Sequence, residues 1–216
     1  MAEVSSLPFR LLCRKYGASM AYTEQLSALA ITRDSEKTLE MASTSKEDHP
    51  VGLQLFGRNS DTLVKAAKKF YKDFDVIDLN MGCPSKKIVQ EGYGSALLKE
   101  KEKIKKIIKS LVKEIPLPIT VKMRSGFKKQ EALKLSNIME SAGCSAITIH
   151  ARTQEQGYSG KADWNLIKKV KENASIPIIG NGDVIDPLTA EELLKETKCD
   201  YIMLGRAARN NPWIFK

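Results

Sequence analysis

Long apolar runs, paired cysteines and glycine-rich nucleotide loops are all missing from this sequence, and each gap removes a class of protein. No hydrophobic stretch nears the roughly 20 residues that cross a bilayer, and Met1-Ala2-Glu3-Val4-Ser5-Ser6 lacks the charged-then-apolar layout of a signal peptide. A cytoplasmic protein without a membrane partner is the expectation. Cys13, Cys83, Cys144 and Cys199 are widely spaced with no C-x-x-C pair, which argues against a zinc knuckle or disulfide framework and for free thiols. The two histidines, His49 and His150, stand in different halves of the chain, so no H-E-x-x-H helix exists and no metal site is expected. Gly157-Tyr158-Ser159-Gly160-Lys161-Ala162 has the wrong spacing for a P-loop, and Gly180-Asn181-Gly182 is followed by Ile185 where a Rossmann fingerprint needs its third glycine.

What remains suits one soluble folded domain. The 216 residues are 42% hydrophobic and 28% charged, enough apolar content for a real core and too balanced for a disordered chain. The net charge of +9 gives a pI near 9.3 and favours a polyanionic partner, nucleic acid first, unless the lysines only solvate helix faces.

Short β-branched runs alternate with amphipathic stretches. Seven strands are predicted, over residues 18–23, 51–56, 76–80, 119–123, 146–150, 176–180 and 201–205. Helices are predicted near 61–71, 129–142, 165–172 and 189–196. The clearest has Ile104, Ile107, Ile108, Leu111 and Val112 on one face and lysines on the other, so the lysine run from Lys99 to Lys109 reads as a solvated surface. Strand and helix repeating at a near-constant interval implies a parallel sheet. With no Rossmann turn, the α/β class narrows to a (β/α)8 TIM barrel. One strand is short of eight. The chain opens on a loop leading into a helix at Leu7-Pro8-Phe9-Arg10 and closes on Asn211-Pro212-Trp213-Ile214-Phe215-Lys216, a helix start, so residues 1–216 are expected to be a barrel domain incomplete at both ends.

Barrel chemistry sits where strands end and βα loops begin. The polar residues there are Glu24 with Gln25, Gln54, Asn80 with Cys83, Lys122 with Arg124, His150 with Arg152, Asn181 with Asp183, and Gly205 with Arg206. The last two loops, Gly180-Asn181-Gly182-Asp183 and Gly205-Arg206-Ala207-Ala208, fit a phosphate: small residues let backbone N–H groups approach and Arg206 adds a bidentate donor. Lys122, at the end of an apolar strand, needs an anion opposite. A structural ion pair, a Schiff-base lysine and a cation at the N1/O2 edge of a flavin all meet that need, and Gln54 and His150 stand where they could bond such a ring. Cys83, just past a strand end, can donate a proton or act as a nucleophile, whereas the other cysteines fall in helical patterns and read as core. Lys86, Lys87, Arg124, Lys128, Lys129, Arg152, Lys161, Arg206 and Arg209 crowd the same loops, and Tyr93, Tyr158 and Trp164 are candidates for stacking on bases.

Leu53-Gln54-Leu55-Phe56-Gly57, Asp78-Leu79-Asn80-Met81-Gly82-Cys83-Pro84, Val121-Lys122-Met123-Arg124, His150-Ala151-Arg152-Thr153, Gly180-Asn181-Gly182-Asp183 and Gly205-Arg206-Ala207 resemble, in order, the motifs of the tRNA-dihydrouridine synthases. The resemblance implies an FMN-dependent barrel that reduces the C5=C6 bond of chosen uridines in tRNA, with NADPH as the electron source. It makes Cys83 the acid that protonates C5. It assigns flavin binding to Gln54, Lys122 and His150, and to Asn181, Gly182, Asp183, Gly205 and Arg206 at the phosphate end. Asn80 and Arg152 would meet the target uridine and its phosphate. Met1 and Ala2 would be what is present of a turn against the flavin, the first strand before them and a C-terminal helical domain being the expected missing parts. Other readings of the same residues are a flavin barrel acting on a free pyrimidine like dihydroorotate dehydrogenase, a Schiff-base aldolase using Lys122, and a non-catalytic tRNA-binding fragment.

Overall fold

A computed structural model describes residues 1–216. The chain begins with helix α1 (Leu7–Lys15), then strands β1 (Ala21–Tyr22) and β2 (Leu26–Ser27) and the short helices α2 (Ala28–Thr32) and α3 (Glu36–Met41). From there strand and helix alternate: β3 (Val51–Phe56), α4 (Ser60–Phe70), β4 (Val76–Met81), α5 (Lys86–Gln90) with α6 (Lys101–Glu114), β5 (Ile119–Arg124), α7 (Ala132–Ser141), β6 (Ala146–His150), α8 (Trp164–Lys171), β7 (Ile178–Asn181), α9 (Pro187–Thr197), β8 (Tyr201–Ile202) and α10 (Arg206–Asn210).

All strand pairs are parallel, and the sheet runs β1-β3-β4-β5-β6-β7-β8. β2 also pairs with β3, at Leu26 and Leu55, while β1 pairs at Ala21 with Val51. The two short strands therefore occupy one position, interrupted by Thr23, Glu24 and Gln25, and the sheet has the seven positions the sequence predicts. The fold is a TIM-barrel-like α/β sheet with an open seam, because the outer edges of β1 and β8 carry no strand. Both seam strands are shorter than their patterns suggest. At β8 the Asn181 Nδ2 donates to the Met203 carbonyl at 2.7 Å, so a side chain serves the stretch that was expected to stay in the strand.

Each strand alternates two kinds of residue. Leu53, Leu55, Ile77, Leu79, Ile119, Val121, Met123, Ile147 and Ile149 are buried against the helices. Between them stand Gln54, Asp78, Asn80, Thr120, Lys122, Arg124, Thr148 and His150, which face the lumen. Cohesion comes from the outer layer, where each fully buried Leu or Ile contributes ~1.5–3 kcal/mol. On α6, Ile104, Ile107, Ile108 and Leu111 dock on the sheet as their spacing predicts. Val112 does not: it is exposed and lies beside Gly143, where an added Cβ would come within 3.2 Å of its methyl. The helix turns it just past the edge of the buried stripe.

Two devices fix the ends of the layer. Arg10 of α1 binds Asp48 through Nε (2.9 Å) and Nη2 (2.6 Å), both side chains fully enclosed, which ties the first helix to the loop before β3. α9 starts on a capping box of Asp186 and Thr189 with Pro187 in its first turn, and packs so closely on β7 that a Cβ on Gly180 would lie 2.6 Å from Leu193.

Candidate active site

Parallel strands put all their C-terminal ends on one rim, so every polar strand-end residue singled out in the sequence faces one mouth. Register then decides which of them touch. Gln54, Asp78 and Thr120 are direct partners across β3, β4 and β5. Thr120 Oγ1 donates to Asp78 Oδ1 at 2.6 Å, and Gln54 Nε2 donates to Asp78 Oδ2 at 2.7 Å. Burial pushes the Asp78 carboxyl up to about 6, against the opposing pull of these two bonds and of Lys122. One layer higher, Asn80 Nδ2 donates to Gln54 Oε1 at 2.9 Å. Its Oδ1 accepts the backbone N–H groups of Gly82 (3.2 Å) and Cys83 (3.0 Å).

Cys83 is half-buried in the loop after β4. Its carbonyl accepts from Ser95 through both N–H (3.2 Å) and Oγ–H (2.8 Å), and Gln25 Nε2 approaches its Sγ at 3.5 Å. Gly94 sits across the same turn at φ +57, where a Cβ would come within 3.0 Å of Cys83 Cβ. The other three cysteines are buried, Cys13 within α1 and Cys144 and Cys199 just beyond α7 and α9, and burial pushes the Cys144 thiol up to about 12. Only Cys83 among the four reaches the mouth.

Lys122, partner of Asn80 in the β4–β5 register, has a different problem. Burial pulls its ammonium down to about 8, with Asp78 opposing that shift from a distance. Its side-chain partner is a neutral group, Asn181 Oδ1, at 3.2 Å. The structural ion pair considered from the sequence is therefore not formed; the cation stands in the lumen without a bonded carboxylate. Burial also lowers His150, to about 3, and Lys122, Arg124, Arg152 and Arg206 add to the effect. Its imidazole is neutral and retains an acceptor nitrogen.

The glycine loops differ in what they offer. Gly182 has φ +123, and a Cβ there would lie 3.0 Å from the His150 ring. Asp183 follows at φ +60 and takes a bidentate pair from Arg152, Nη1 to Oδ1 at 2.7 Å and Nη2 to Oδ2 at 2.8 Å. Burial alone would raise the Asp183 carboxyl, but Arg152 and the Ala162 N–H bring it below the usual carboxylate range. Arg152 also donates to the carbonyls of Ser159 and Gly160, so this buried guanidinium is engaged by the chain itself. Arg206 is the available one. It is exposed, 3.6 Å from Asp183, and its guanidinium lies 4.6 Å from the centre of the Tyr158 ring. Gly205 faces Met1, whose Sδ is the atom nearest to where a Gly205 Cβ would be, at 3.8 Å; Ala2 is exposed next to it.

Two of the three loop aromatics serve packing. Tyr93 meets Phe56 edge-on at 5.7 Å, and Trp164 Nε1 donates to the Gly182 carbonyl at 3.0 Å. Tyr158 stays exposed between the Arg124 and Arg206 guanidinium groups. Sequence reasoning placed Arg124 at the strand end beside Lys122 and among the basic loops, without a role. It clamps the mouth, donating to the carbonyls of Gly82 (3.0 Å), Thr153 (2.8 Å) and Gly157 (2.6 Å). Asp78 was missed as a site residue, although an acid in the middle of a buried strand was the visible signal. Around the rim Lys86, Lys87, Lys128, Lys129, Lys161 and Arg209 are exposed. No helix is long and apolar enough to cross a membrane, and no group of three metal-ligating side chains is assembled.

Known proteins share both the sequence and the architecture. Residues 1–216 match the family model for dihydrouridine synthase (Dus). A probable tRNA-dihydrouridine synthase of Aquifex aeolicus is 38% identical over 221 residues, covering 100% of this chain and 70% of that protein. tRNA-dihydrouridine synthase B of Pasteurella multocida is 37% identical, covering 100% of this chain and 66% of the relative. The chain thus spans about two thirds of the length of the relatives it matches. Among solved structures, histamine dehydrogenase from Rhizobium sp. 4-9 aligns over 98% of this chain and 42% of its own, with a TM-score of 0.65 and 16% identity. FabK from Thermotoga maritima (the M276A mutant) aligns over 96% and 59%, with a TM-score of 0.59 and 16% identity. At such identities these structures speak for the fold alone. By its motifs and its full-length family match, the chain belongs to the dihydrouridine synthase family.

Proposed function

We propose that this chain is the catalytic barrel of a cytoplasmic, FMN-dependent tRNA-dihydrouridine synthase, an enzyme that reduces the C5=C6 bond of uridines in tRNA with NADPH as the electron source. The observation that carries the reading is the juxtaposition, on one rim, of a lumen cation bonded only to an amide, Lys122, with a half-buried thiol on the neighbouring strand end, Cys83. A half-buried ammonium without a carboxylate is costly, and a ring that becomes anionic on reduction would supply the missing charge. The residues present fit FMN in other ways. Gln54 and His150 offer amide and imidazole groups to a ring, and Asn181, Gly182, Asp183, Gly205 and Arg206 form a rim with an exposed guanidinium for a phosphate. Met1 and Ala2 border that end.

Bound FMN would supply a hydride to C6 of the uracil. The chain's own part is the proton: the Cys83 S–H bond breaks as a C5–H bond forms, leaving a thiolate that water reprotonates. Asn80 keeps one amide hydrogen for the base while fixing the Cys83 turn. Arg152 is best used in holding Asp183 and the 159–160 loop, and Arg206 takes the phosphate role. Because the base must leave its stack to reach a recessed thiol, the exposed lysines around the mouth act on the tRNA backbone, and Tyr158 offers a flat surface beside it.

The test is to purify the protein, record the visible flavin spectrum, and assay dihydrouridine in unmodified tRNA with NADPH. A flavin band together with dihydrouridine that requires Cys83 supports the reading. A colourless protein that binds tRNA without reducing it overturns it.

A further inference from the structure

We infer that Asp78 is a positioning residue, orienting the Cys83 turn through a one-way chain of two side-chain amides. The role assigned to Cys83 rests on the function proposed above; the chain of bonds does not.

The direction follows from proton counting. An ionised carboxylate only accepts, so the group that Gln54 turns toward Asp78 must be its NH2. That leaves Gln54 Oε1 facing Asn80, which must answer with its own NH2. Asn80 Oδ1 is then directed at the N–H groups of Gly82 and Cys83, both of which need an acceptor. Reversing either amide would set donor against donor at one end and acceptor against acceptor at the other. Gln54, Asp78 and Asn80 are each more than nine-tenths buried, which excludes water as a ready substitute partner. Thr120 donates to the second Asp78 oxygen, which holds the carboxylate from its other side. The Asp78 carboxyl near 6 is mostly ionised above neutral pH, in keeping with an acceptor-only root.

At the far end the same turn is gripped from its carbonyl side, Gly82 by Arg124 and Cys83 by Ser95. Donors on the carbonyls and one acceptor on the amides fix the peptide planes, and with them the direction of Cys83 Cβ. A carboxylate deep in the lumen thereby sets the aim of a thiol at its mouth without touching it.

Two variants test this, read by hydrogen exchange at the Gly82 and Cys83 amides in protein without tRNA. Asp78→Val is expected to speed exchange at both by at least about tenfold, the scale of one lost hydrogen bond to a charged group, and to lower kcat with little change in KM for tRNA. The swap of Asp78→Asn with Gln54→Glu moves the carboxylate one place along and keeps every donor facing an acceptor. It is expected to restore the parent exchange rates. Parent-like exchange in the valine variant, or exchange in the swap as fast as in the valine variant, would overturn the inference. Should the valine variant not fold, the swap decides alone: protected amides support the chain of bonds and unprotected amides overturn it. A parent that forms no dihydrouridine would refute the proposed activity and leave the exchange result standing.

Discussion

Lys122 Nζ and Asn181 Oδ1 meet at 3.2 Å although their strands, β5 and β7, are separated by β6. The contact reaches past β6 and leaves the ammonium with an uncharged partner, so this lysine weakens the fold of the protein by itself. Folded, it titrates at about 8; unfolded, near 10.5. Between those values the unfolded chain holds more protons and stability rises with pH; below about 8 the cost is complete. Lys122→Met is expected to stabilise flavin-free protein at pH 7 by ~1–3 kcal/mol, after discounting for partial exposure, with the gain fading toward pH 10.5. Melting curves across that range check it, and a gain that does not change with pH would contradict it.

Cys83→Ala is expected to fold and retain flavin while losing uridine reduction by roughly 10²-fold or more, the usual scale for removing a general acid. Reduction of the flavin by NADPH should continue. Stopped-flow traces of the two half-reactions separate these effects, and full turnover on tRNA would remove Cys83 from the mechanism.

Arg206→Ala should lower flavin retention by about tenfold with little effect on melting temperature, because an exposed guanidinium contributes little to folding. Flavin content per protein after dialysis is the measurement. Equal content in variant and parent would count against the phosphate assignment.

Asp183→Asn removes the countercharge of a buried guanidinium and is expected to cost about 2–3 kcal/mol. The Asp183 carboxyl lies below its ordinary value when folded, so its contribution is complete above the normal carboxylate range and is lost as pH falls through the lowered value. The gap between parent and variant in urea unfolding should therefore close in acid. A gap independent of pH would mean that the ion pair is not its source.

His150, lowered to about 3, should show no protonation step between pH 5 and 8. A ring-nitrogen NMR titration of the flavin-free protein gives the answer, and a midpoint near the ordinary imidazole value would show that the ring is less enclosed, and the cations around it less close, than the structure places them.

The central strands were legible because each is buried on its helix side, and β3 and β6 carry the residues the β-branched runs predict. At the seam the patterns over 18–23 and 201–205 give the strand positions but not their extent: β1, β2 and β8 are two residues each, because an edge with no outer neighbour leaves the rest of each run unpaired. Strand-end logic places Gln54, Asn80, Cys83, Lys122, His150, Asn181 and Arg206 on one rim, since a parallel sheet gathers such positions whatever the details. It could not show that Arg152 is consumed by Asp183 or that Asp78 roots a chain of amides. Those facts depend on which residue lies opposite which, and register across strands is set by helix packing far along the sequence. The alternation in Val76-Ile77-Asp78-Leu79-Asn80-Met81 was the visible trace of the polar lumen.

That alternation divides labour within each strand. The greasy sleeve between sheet and helices keeps the molecule together, while the hydrophilic bore contributes comparatively little apolar burial to it. A bore position whose side chain is not tied into the buried Gln54–Asp78–Asn80–Thr120 network, such as Lys122, is thus open to exchange for new chemistry at small risk of melting, whereas trimming the sleeve, as in Leu111→Ala, should cost ~2–5 kcal/mol without altering what the mouth recognises.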